Sequence, residues 1–336
     1  MKRTTLKDIA RALGVAPSTV SRALADHPDL SDATKARVRD VAQALRYAPD
    51  IRARNLRERH TQLVALVLPE VNTFFVPSLM SGVNAVLQPA GYAVVVLPSG
   101  DSMAQEQTLL ALCLSLAFDG VLLARSSETR DLVHLDPLDA AGLPIVLLDK
   151  ILPDTRHSTV SIDDRRASFE ATSYLLERGH RHIVGVFSDS RQRIGTERMA
   201  GFRDAVSERG LPPGNSPIVE VPDLAAFDAR LGHALDAHPD ATALFAMSDE
   251  LLVRTQRHVA ERGRRVPEDL SLVALSDGEA PYFFHPPVTH RLHSGAEVGA
   301  EAARVLLRAI GQAEPPPAVE VKLQTDLVEL GSVRSV

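Results

Sequence analysis

The stretch from Thr5 to Leu24, TLKDIARALGVAPSTVSRAL, consists of two short helical patterns on either side of one glycine. Apolar residues recur on one face of each pattern, at Leu6, Ile9, Ala10 and Leu13 and again at Val20, Ala23 and Leu24. Gly14 allows a tight reversal between them. The pattern predicts a helix-turn-helix, whose second helix reads DNA in the major groove. The same spacing also fits a helical hairpin packed inside another kind of domain.

Side chains around these two helices favour the DNA-binding interpretation. Thr5 and Asp8 have the spacing of a capping box, which satisfies unpaired N–H groups at the start of a helix. Pro17 suits the first position of the second helix, because its φ is helical and it has no N–H to leave unpaired. Hydroxyl and guanidinium groups can hydrogen-bond base edges and phosphates. The candidate DNA contacts of this segment are Thr5, Pro17, Ser18, Thr19, Ser21 and Arg22.

A third helical pattern, from Ser31 to Leu45, adds Val38 and Val41 to the same small core and closes a three-helix domain. The charge of the chain is unevenly distributed. Residues 1–60 contain 13 lysines and arginines against 7 aspartates and glutamates, whereas the whole chain has a net charge of −6. A positive head on a negative body is expected of a DNA-binding protein, because phosphate contacts dominate its affinity.

These features resemble the LacI/GalR family of transcriptional regulators, over essentially all 336 residues. The resemblance implies a helix-turn-helix domain at 1–48, a hinge helix at 49–60 and an effector-binding, dimerising body at 61–336. In this family, the two hinge helices of a dimer enter the minor groove of a palindromic operator. The family's hinge pattern is matched here by Ala53, Arg54, Asn55 and Leu56. Its leucine is a wedge that kinks the duplex; the alternative for Leu56 is a contact that only fixes the hinge to the body.

Four positions depart from the family pattern. Ala16 replaces the usual capping serine before the second helix, which predicts a helix weaker by about 1 kcal/mol. Asp26 and Asp50 replace common asparagines, and a carboxylate repels phosphate. Arg46 replaces a glycine, and it either adds a positive contact or remains a solvated surface side chain. We therefore expect operator contacts that differ in detail from those of the family.

The body alternates short apolar runs with longer helical patterns, which predicts parallel sheets covered by helices on both faces. The predicted strands are 63–68, 93–97, 120–123, 144–148, 183–187, 243–246 and 270–274. The predicted helices include 76–88, 168–178, 198–208 and 250–261. About 275 residues exceed the usual size of one core, so two lobes are expected.

The predicted fold class is an all-α three-helix head joined by a hinge helix to an α/β body. That body has two doubly wound parallel-sheet lobes, like those of periplasmic binding proteins. We place the first lobe at about 61–161 and 291–320, and the second lobe at about 162–290 and 321–330. Because ligands of such sheets bind beyond the carboxyl ends of the strands, effector contacts are expected directly after each strand.

Phe74 and Phe75 follow the first strand and could stack on a ring-shaped ligand, although adjacent phenylalanines there are most often core. Arg198 lies in a segment similar to the family's Arg-x-x-Gly-aromatic motif, whose arginine contacts effector hydroxyls or a carboxylate; the alternative is a solvated arginine. The resemblance adds loop residues to the candidate effector contacts, namely Ser127, Ser248, Ser276 and Asp277. Ser248 and Ser276 replace the family's usual asparagine and acid. A standard monosaccharide is therefore not implied, although a sugar or sugar derivative is.

The chain carries none of the common enzyme signatures: no nucleophile elbow, no P-loop, no zincin motif and no dinucleotide-binding glycine pattern. His180 and His182 alternate along a strand and would point to opposite faces, so they do not indicate a metal site. Asp163 and Asp164 fit a helix cap better than an acid/base pair. Cys113, the single cysteine, cannot form an internal disulfide. We expect no catalytic residue, no cofactor and no metal.

No run of residues approaches a membrane span, and the first residues do not resemble a signal peptide. We therefore expect a cytoplasmic homodimer that binds operator DNA and a small-molecule effector but no membrane. One alternative is a solute-binding module without a regulatory role, which would need a signal peptide and would not need residues 1–60. The other is an enzyme with a doubly wound fold, which would need a catalytic motif.

Overall fold

The computed structural model describes residues 4–24, 26–47, 60–149, 151–152, 155–190, 193–312, 314 and 316–336. The chain divides into two compact units, Met1–Thr61 and Gln62–Val336. The predicted hinge contacts Ala53, Arg54, Asn55 and Leu56 lie outside the described residues. Among the residues that are described, no helix has the length and apolar character needed to cross a bilayer.

The described residues of the first unit, 4–24 and 26–47, form a three-helix head, as predicted. Its helices are α1 (Leu6–Leu13), α2 (Pro17–Leu24) and α3 (Asp32–Ala44). They pack around Ile9, Val20 and Val38, which have almost no exposed surface. The capping box at the start of α1 is present, since the Asp8 carboxylate accepts hydrogen bonds from the Thr5 N–H at 2.9 Å and from its hydroxyl at 2.7 Å. Gly14 ends α1 with a φ of 67°, the left-handed conformation that the turn requires.

The second unit alternates strands and helices. Its strands are β1 (Leu63–Leu68), β2 (Ala93–Pro98), β3 (Gly120–Leu123), β4 (Ile145–Leu148), β5 (Ser158–Ile162), β6 (Ile183–Phe187), β7 (Ile218–Glu220), β8 (Ala243–Ala246), β9 (Ser271–Ser276), β10 (Thr289–Leu292), β11 (Glu320–Leu323) and β12 (Asp326–Val328). Its helices are α4 (Phe75–Leu87), α5 (Met103–Ser115), α6 (Asp136–Ala140), α7 (Asp164–Glu177), α8 (Arg193–Glu208), α9 (Phe227–Ala237), α10 (Asp249–Glu261) and α11 (Gly295–Ala309).

These strands form two sheets, one in each lobe. The first sheet has the order β11-β5-β4-β3-β1-β2 and the second has the order β12-β10-β9-β8-β6-β7. Neighbouring strands are parallel except for β12, which pairs antiparallel with β10. Along β1, Val64 and Leu66 pack in one apolar cluster, whereas Ala65 and Val67 pack in another. Both faces of the sheet are therefore covered, and the predicted fold class is confirmed.

The chain crosses between the sheets at places slightly different from the sequence boundaries. Val321 to Leu323, assigned to the second lobe from the sequence, pair with β5 in the first sheet. Arg291 and Leu292, assigned to the first lobe, pair with β9 in the second. Both strands are only partly buried, so they show no apolar run that marks their sheet.

Helices α4 and α11 approach each other so closely that glycines are required between them. A Cβ atom added to Gly82 would lie 2.0 Å from the carbonyl oxygen of Ala296. A Cβ atom added to Gly299 would lie 2.2 Å from the carbonyl oxygen of Leu79. The two backbones are therefore in direct contact, and α4 and α11 pack side by side as one layer of the first lobe.

Candidate nucleic-acid interface and effector cleft

The outer side of α2 presents the polar residues that the sequence analysis singled out. Val20 and Ala23, on the inner side, are buried in the core of the head. The outer side carries Pro17, Ser18, Thr19, Ser21 and Arg22, of which Thr19 and Ser21 are half-buried and the others exposed. Thr5 lies apart from them, at the start of α1. The head thus offers one short helix with hydroxyl groups and a guanidinium group on its surface.

Asp26 is neutralised within the head. Its carboxylate lies 3.3 Å from the ammonium group of Lys35 and 2.8 Å from the guanidinium group of Arg39. The hydrogen bond and the charge of Lys35, followed by the charge of Arg39, hold the pKa of Asp26 below its ordinary value. The repulsion of phosphate expected at this position is therefore offset by two cations of α3.

Replacing Ala16 with serine is expected to strengthen the start of α2. The Ala16 carbonyl accepts the Thr19 N–H at 2.9 Å, but alanine has no side-chain acceptor for the remaining N–H groups. A serine cap contributes about 1 kcal/mol, so hydrogen exchange of the α2 amides in the full-length protein should slow about five-fold. Ala12→Ser, at an exposed position inside α1, is the control and should give no slowing. Equal exchange in Ala16→Ser and the wild type would contradict the prediction.

In the second unit, the carboxyl ends of the two sheets face each other across a cleft. The guanidinium group of Arg193 donates a hydrogen bond to the carbonyl of Ile151, in the opposite lobe, at 3.2 Å. The ring of Phe75, after β1, stacks on the ring of His293, after β10, with centroids 5.7 Å apart. We call this space the interlobe cleft. Its cavity is lined by Asp149 and Ile151 of the first lobe and by Asp164, Arg193 and Glu197 of the second lobe. We assign to the same cleft the neighbouring side chains that interact across the lobes or with these residues, namely Phe74, Phe75, Arg125, Arg198 and His293.

Arg198, the predicted effector contact of the second lobe, is buried and already partly engaged. Only 3% of its surface is exposed. Its Nε donates to the Asp164 carboxylate at 2.8 Å and its Nη1 donates to the carbonyl of Met247 at 2.5 Å. These bonds fix the plane of the guanidinium group, and the solvated alternative is excluded.

Asp164 is the acidic partner of Arg198. Burial raises its pKa from 3.8 to about 6, the charge of Arg198 lowers it, and the charge of Asp149 raises it again. Asp149 follows β4 in the first lobe, so carboxylates from the two lobes interact across the cleft. A hydroxyl-rich ligand could accept from Arg198 and donate to these acids, because each hydroxyl is both a donor and an acceptor.

His293 has polar atoms that the described residues leave unsatisfied. The side chain is 6% exposed, and neither ring nitrogen has a hydrogen-bond partner in the part of the chain that the structure describes. Burial and the charge of Arg198 hold its pKa well below the ordinary value, so the ring is neutral near pH 7. A neutral imidazole offers one donor and one acceptor, and buried groups of this kind normally have partners.

Arg125, at the end of β3, has a similar unsatisfied atom. It is 8% exposed, and its Nη1 donates to the carbonyls of Ser126 at 3.1 Å and Thr129 at 2.8 Å. Its Nε has no partner among the described residues. Burial lowers its pKa, while the nearby charges of Glu106 and Asp149 raise it. The edge of the first lobe therefore carries one cation and one acid side by side.

Two predicted effector contacts have other roles in the structure. Ser127 donates its N–H to the Asp101 carboxylate at 2.8 Å, and its hydroxyl donates to the same group. Ser248 caps α10, because its hydroxyl accepts the Leu251 N–H at 3.4 Å. Both lie at the carboxyl ends of strands, as expected, but their polar atoms are engaged within their own lobe.

Ser276 and Asp277 are also engaged internally. The Ser276 hydroxyl donates to the Asp249 carboxylate, which accepts the Asp277 N–H at 2.9 Å as well. Burial raises the pKa of Asp249 to about 6 despite these two bonds. The Asp277 carboxylate accepts the Gly295 N–H at 2.6 Å, at the start of α11. These residues hold together the segments that follow β8, β9 and β10.

The sequence analysis did not propose Arg125, Asp149 and His293 as cleft residues, and it interpreted Asp164 as a helix cap. Asp149 directly follows a predicted strand and Arg125 comes two residues after another, so the expectation of effector contacts at strand ends could have found them. His293 follows β10, a strand without an apolar run, and nothing in the sequence marks it.

Comparison with known proteins identifies the family. The model for bacterial regulatory proteins of the lacI family matches residues 5–50, and that for a periplasmic binding protein-like domain matches residues 172–333. The transcriptional regulator CelR of Thermobifida fusca is 32% identical over 338 residues, which cover 97% of each chain. This chain belongs to the LacI family of bacterial regulatory proteins.

Solved structures agree with this assignment to the LacI family. A complex of the regulator CelR with cellobiose is 30% identical, has a TM-score of 0.70, and matches 98% of this chain and 100% of its own. The lac repressor dimer bound to operator and an anti-inducer has a TM-score of 0.84 at 20% identity, matches 99% of this chain and 100% of its own, and supports the fold alone.

This LacI-family chain is a DNA-binding transcriptional regulator controlled by an effector, and it is not an enzyme. The resemblance stated from the sequence is confirmed. The alternative of a solute-binding module without a regulatory role is wrong, because a lacI-family head precedes the periplasmic binding protein-like domain.

Proposed function

We propose that this regulator is a homodimeric repressor of a palindromic operator, whose DNA affinity is changed by a carbohydrate bound in the interlobe cleft. The observation that carries the effector site is His293, a buried neutral ring with two unsatisfied nitrogens stacked on Phe75. A sugar offers an apolar ring face for an aromatic side chain and hydroxyls that both donate and accept.

The proposed DNA contacts lie on the outer side of α2 and in the hinge. Ser18, Thr19, Ser21 and Arg22 would contact base edges and phosphates in the major groove, while Thr5 and Pro17 bring helix N-termini to the backbone. Ala53, Arg54, Asn55 and Leu56 would enter the minor groove, with Leu56 as the wedge. This assigns 1–48 to the DNA-binding domain, 49–60 to the hinge and 61–336 to the body.

Arg198, Arg125 and Asp149 would hold the hydroxyls of the sugar, and Phe74 and Phe75 would cover its ring. Phe74 is 37% exposed, as expected of a side chain that a ligand covers. Ser127, Ser248, Ser276 and Asp277 would shape the cleft from behind rather than bind the sugar themselves. Because the regulator CelR was solved with cellobiose, that disaccharide is the first sugar to test.

Two unpaired surfaces support a second copy of the chain as the dimer partner. Strand β2 is an edge of the first sheet and has the apolar sequence AVVVLP, and such an edge readily pairs with another chain. In the second lobe, the neighbouring residues Tyr282 and Phe283 are 57% and 67% exposed. Exposed apolar groups of this size are characteristic of interfaces.

The test is operator binding by the full-length protein. A duplex enriched from random sequence should be palindromic, and its dissociation constant, measured by fluorescence anisotropy at fixed salt, should change at least ten-fold with cellobiose, glucose or ribose. Arg22→Ala should weaken the specific duplex more than a scrambled one, whereas Arg11→Ala, on the exposed side of α1, is the control. If the enriched duplex is not palindromic, the proposed homodimer is contradicted. If Arg22→Ala loses the same affinity for the specific and the scrambled duplex, the proposal that Arg22 contacts base edges is contradicted.

A further inference from the structure

Helix α4 starts without a cap of its own. Its N-cap residue is Phe74, which makes no side-chain cap, and its first turn contains no acidic residue. An α-helix leaves its first N–H groups without partners, and these groups carry partial positive charge. The start of α4 lies at the edge of the interlobe cleft, where the second lobe can reach it.

Three side chains of the second lobe contact this first turn. The Glu250 carboxylate, at the start of α10, accepts the Phe74 N–H at 3.4 Å. The His293 ring stacks on Phe75 with an angle of 23° between the ring planes. The Ser78 hydroxyl lies where it can donate to the Asp277 carboxylate or, at 3.0 Å, to the carbonyl of Phe75.

These contacts come from segments that follow three neighbouring strands, β8, β9 and β10. These contacts therefore depend on the position of the whole carboxyl edge of the second sheet rather than on that of one loop. Because α4 is in backbone contact with α11 through Gly82 and Gly299, a displacement of its first turn is transmitted to the layer that the two helices form.

We propose that the first turn of α4 is the element of the first lobe that is displaced when the cleft closes, because the second lobe contacts it directly. Glu250 and Asp277 are positioning residues that favour the closed arrangement, with Glu250 acting as an N-terminal cap supplied by the opposite lobe. The proposal rests on the proposed effector site, since Phe74 and Phe75 both line the cleft and belong to this turn. An effector shifts the equilibrium between the open and the closed cleft only by its different affinity for the two arrangements. The contacts of Glu250 and Asp277 set the position of this equilibrium in the absence of an effector.

The direct test is hydrogen exchange in the full-length protein without any effector. In Glu250→Ala, amides of residues 72–78 should exchange about five-fold faster than in the wild type, because the cap from the second lobe is lost. Glu250→Gln retains an acceptor oxygen and should restore most of the protection. Glu261→Ala, at the other end of α10, is the matched control and should leave α4 unchanged. Equal exchange in all four proteins would overturn the proposal.

A second pair of variants separates the coupling from a general loss of stability. Asp277→Asn and Ser78→Ala should each accelerate exchange in the first turn of α4, and the double variant should exchange no faster than the faster single variant. Acceleration of α5 to the same extent as α4 in any of these proteins would indicate global destabilisation and overturn the proposal.

Cellobiose binding provides the functional readout. With cellobiose as the probe, Glu250→Ala should weaken sugar binding several-fold, whereas the control Glu261→Ala should leave it unchanged. If the exchange pattern is as expected but no sugar binds, the carbohydrate proposal fails and the interlobe coupling stands. If sugar binds equally to Glu250→Ala and the wild type, the role of Glu250 in closure is overturned while the effector site stands.

Discussion

Replacing Gly299 with alanine is expected to destabilise the body by about 2 kcal/mol, the usual range for overpacking being about 1–3 kcal/mol. The added Cβ atom would lie 2.2 Å from the carbonyl oxygen of Leu79 and 3.0 Å from the amide nitrogen of Val83. Both are backbone atoms of α4, so neither can rotate away. Alanine is more favourable than glycine inside a helix by about 1 kcal/mol. The expected destabilisation of the body already includes this gain.

The measurement is the thermal midpoint of the body, which should fall by about 4–8 °C. Gly214→Ala is the control, because no atom lies within 4 Å of its added Cβ and its φ is not in the left-handed region. A Gly299→Ala protein that melts within one degree of the wild type would show that α4 and α11 can separate at little cost. The direct backbone contact would then be refuted.

Replacing Arg198 with alanine should have the largest effect of any single change in the cleft. It leaves the Asp164 carboxylate and the Met247 carbonyl without their donors in a buried site. Removing one member of a buried ion pair costs about 3–5 kcal/mol, because the other charge is left uncompensated. The variant should also lose any response of the operator complex to sugar.

The cost of Arg198→Ala should depend on pH in a defined direction. Burial raises the pKa of Asp164 from 3.8 to about 6. Between these values the folded protein holds a proton that the unfolded chain has released. The resulting stabilisation is complete below about pH 4 and is lost as the pH rises through about 6. At pH 5 the carboxyl is mostly neutral, so Arg198→Ala should cost less there than at pH 8, as measured by urea unfolding.

The matched control is Asp164→Asn, introduced into the wild type and into Arg198→Ala. Asparagine keeps an oxygen that can accept from Arg198, and it removes the charge that Arg198→Ala strands. The double variant should therefore be more stable at pH 8 than Arg198→Ala alone. In the Asp164→Asn background, the cost of Arg198→Ala should be the same at pH 5 and pH 8, a comparison in which the titration of Asp249 cancels. A cost of Arg198→Ala that is equal at both pH values would show that the interaction with Asp164 is not its source.

The sequence predicted well whatever depends on local pattern. The three helices of the head, the capping box at Thr5 and strands β1, β2, β3, β4, β6, β8 and β9 follow from periodicity, capping chemistry and apolar runs. Strands β5, β7, β10, β11 and β12 were not predicted. Strands β7, β11 and β12 are short, lie at sheet edges and are only partly buried, whereas β5 (STVSI) and β10 (THRL) lie inside their sheets but mix polar with apolar residues. The burial of residues in such strands depends on the strands and helices that pack against them, and the local sequence does not show which elements these are.

The cleft shows the same limit at the level of single side chains. Arg198 could be selected because a motif marks it. The family resemblance led to Ser127, Ser248 and Ser276, which lie near the carboxyl ends of strands. It could not show that Asp101, the start of α10 and Asp249 would engage them. His293 was missed because its importance arises only when β10 brings it against Phe75.

Residues 320–328 complete both sheets, one through β11 and the other through β12. During synthesis, each sheet therefore lacks a strand until this segment has left the ribosome, whereas the three helices of the head lie within the first 47 residues. A nascent chain could hold a folded head for most of its synthesis before either lobe is finished. Translation that stalls before residue 320 would leave a chain whose head is complete but whose effector-binding body lacks a strand in each sheet.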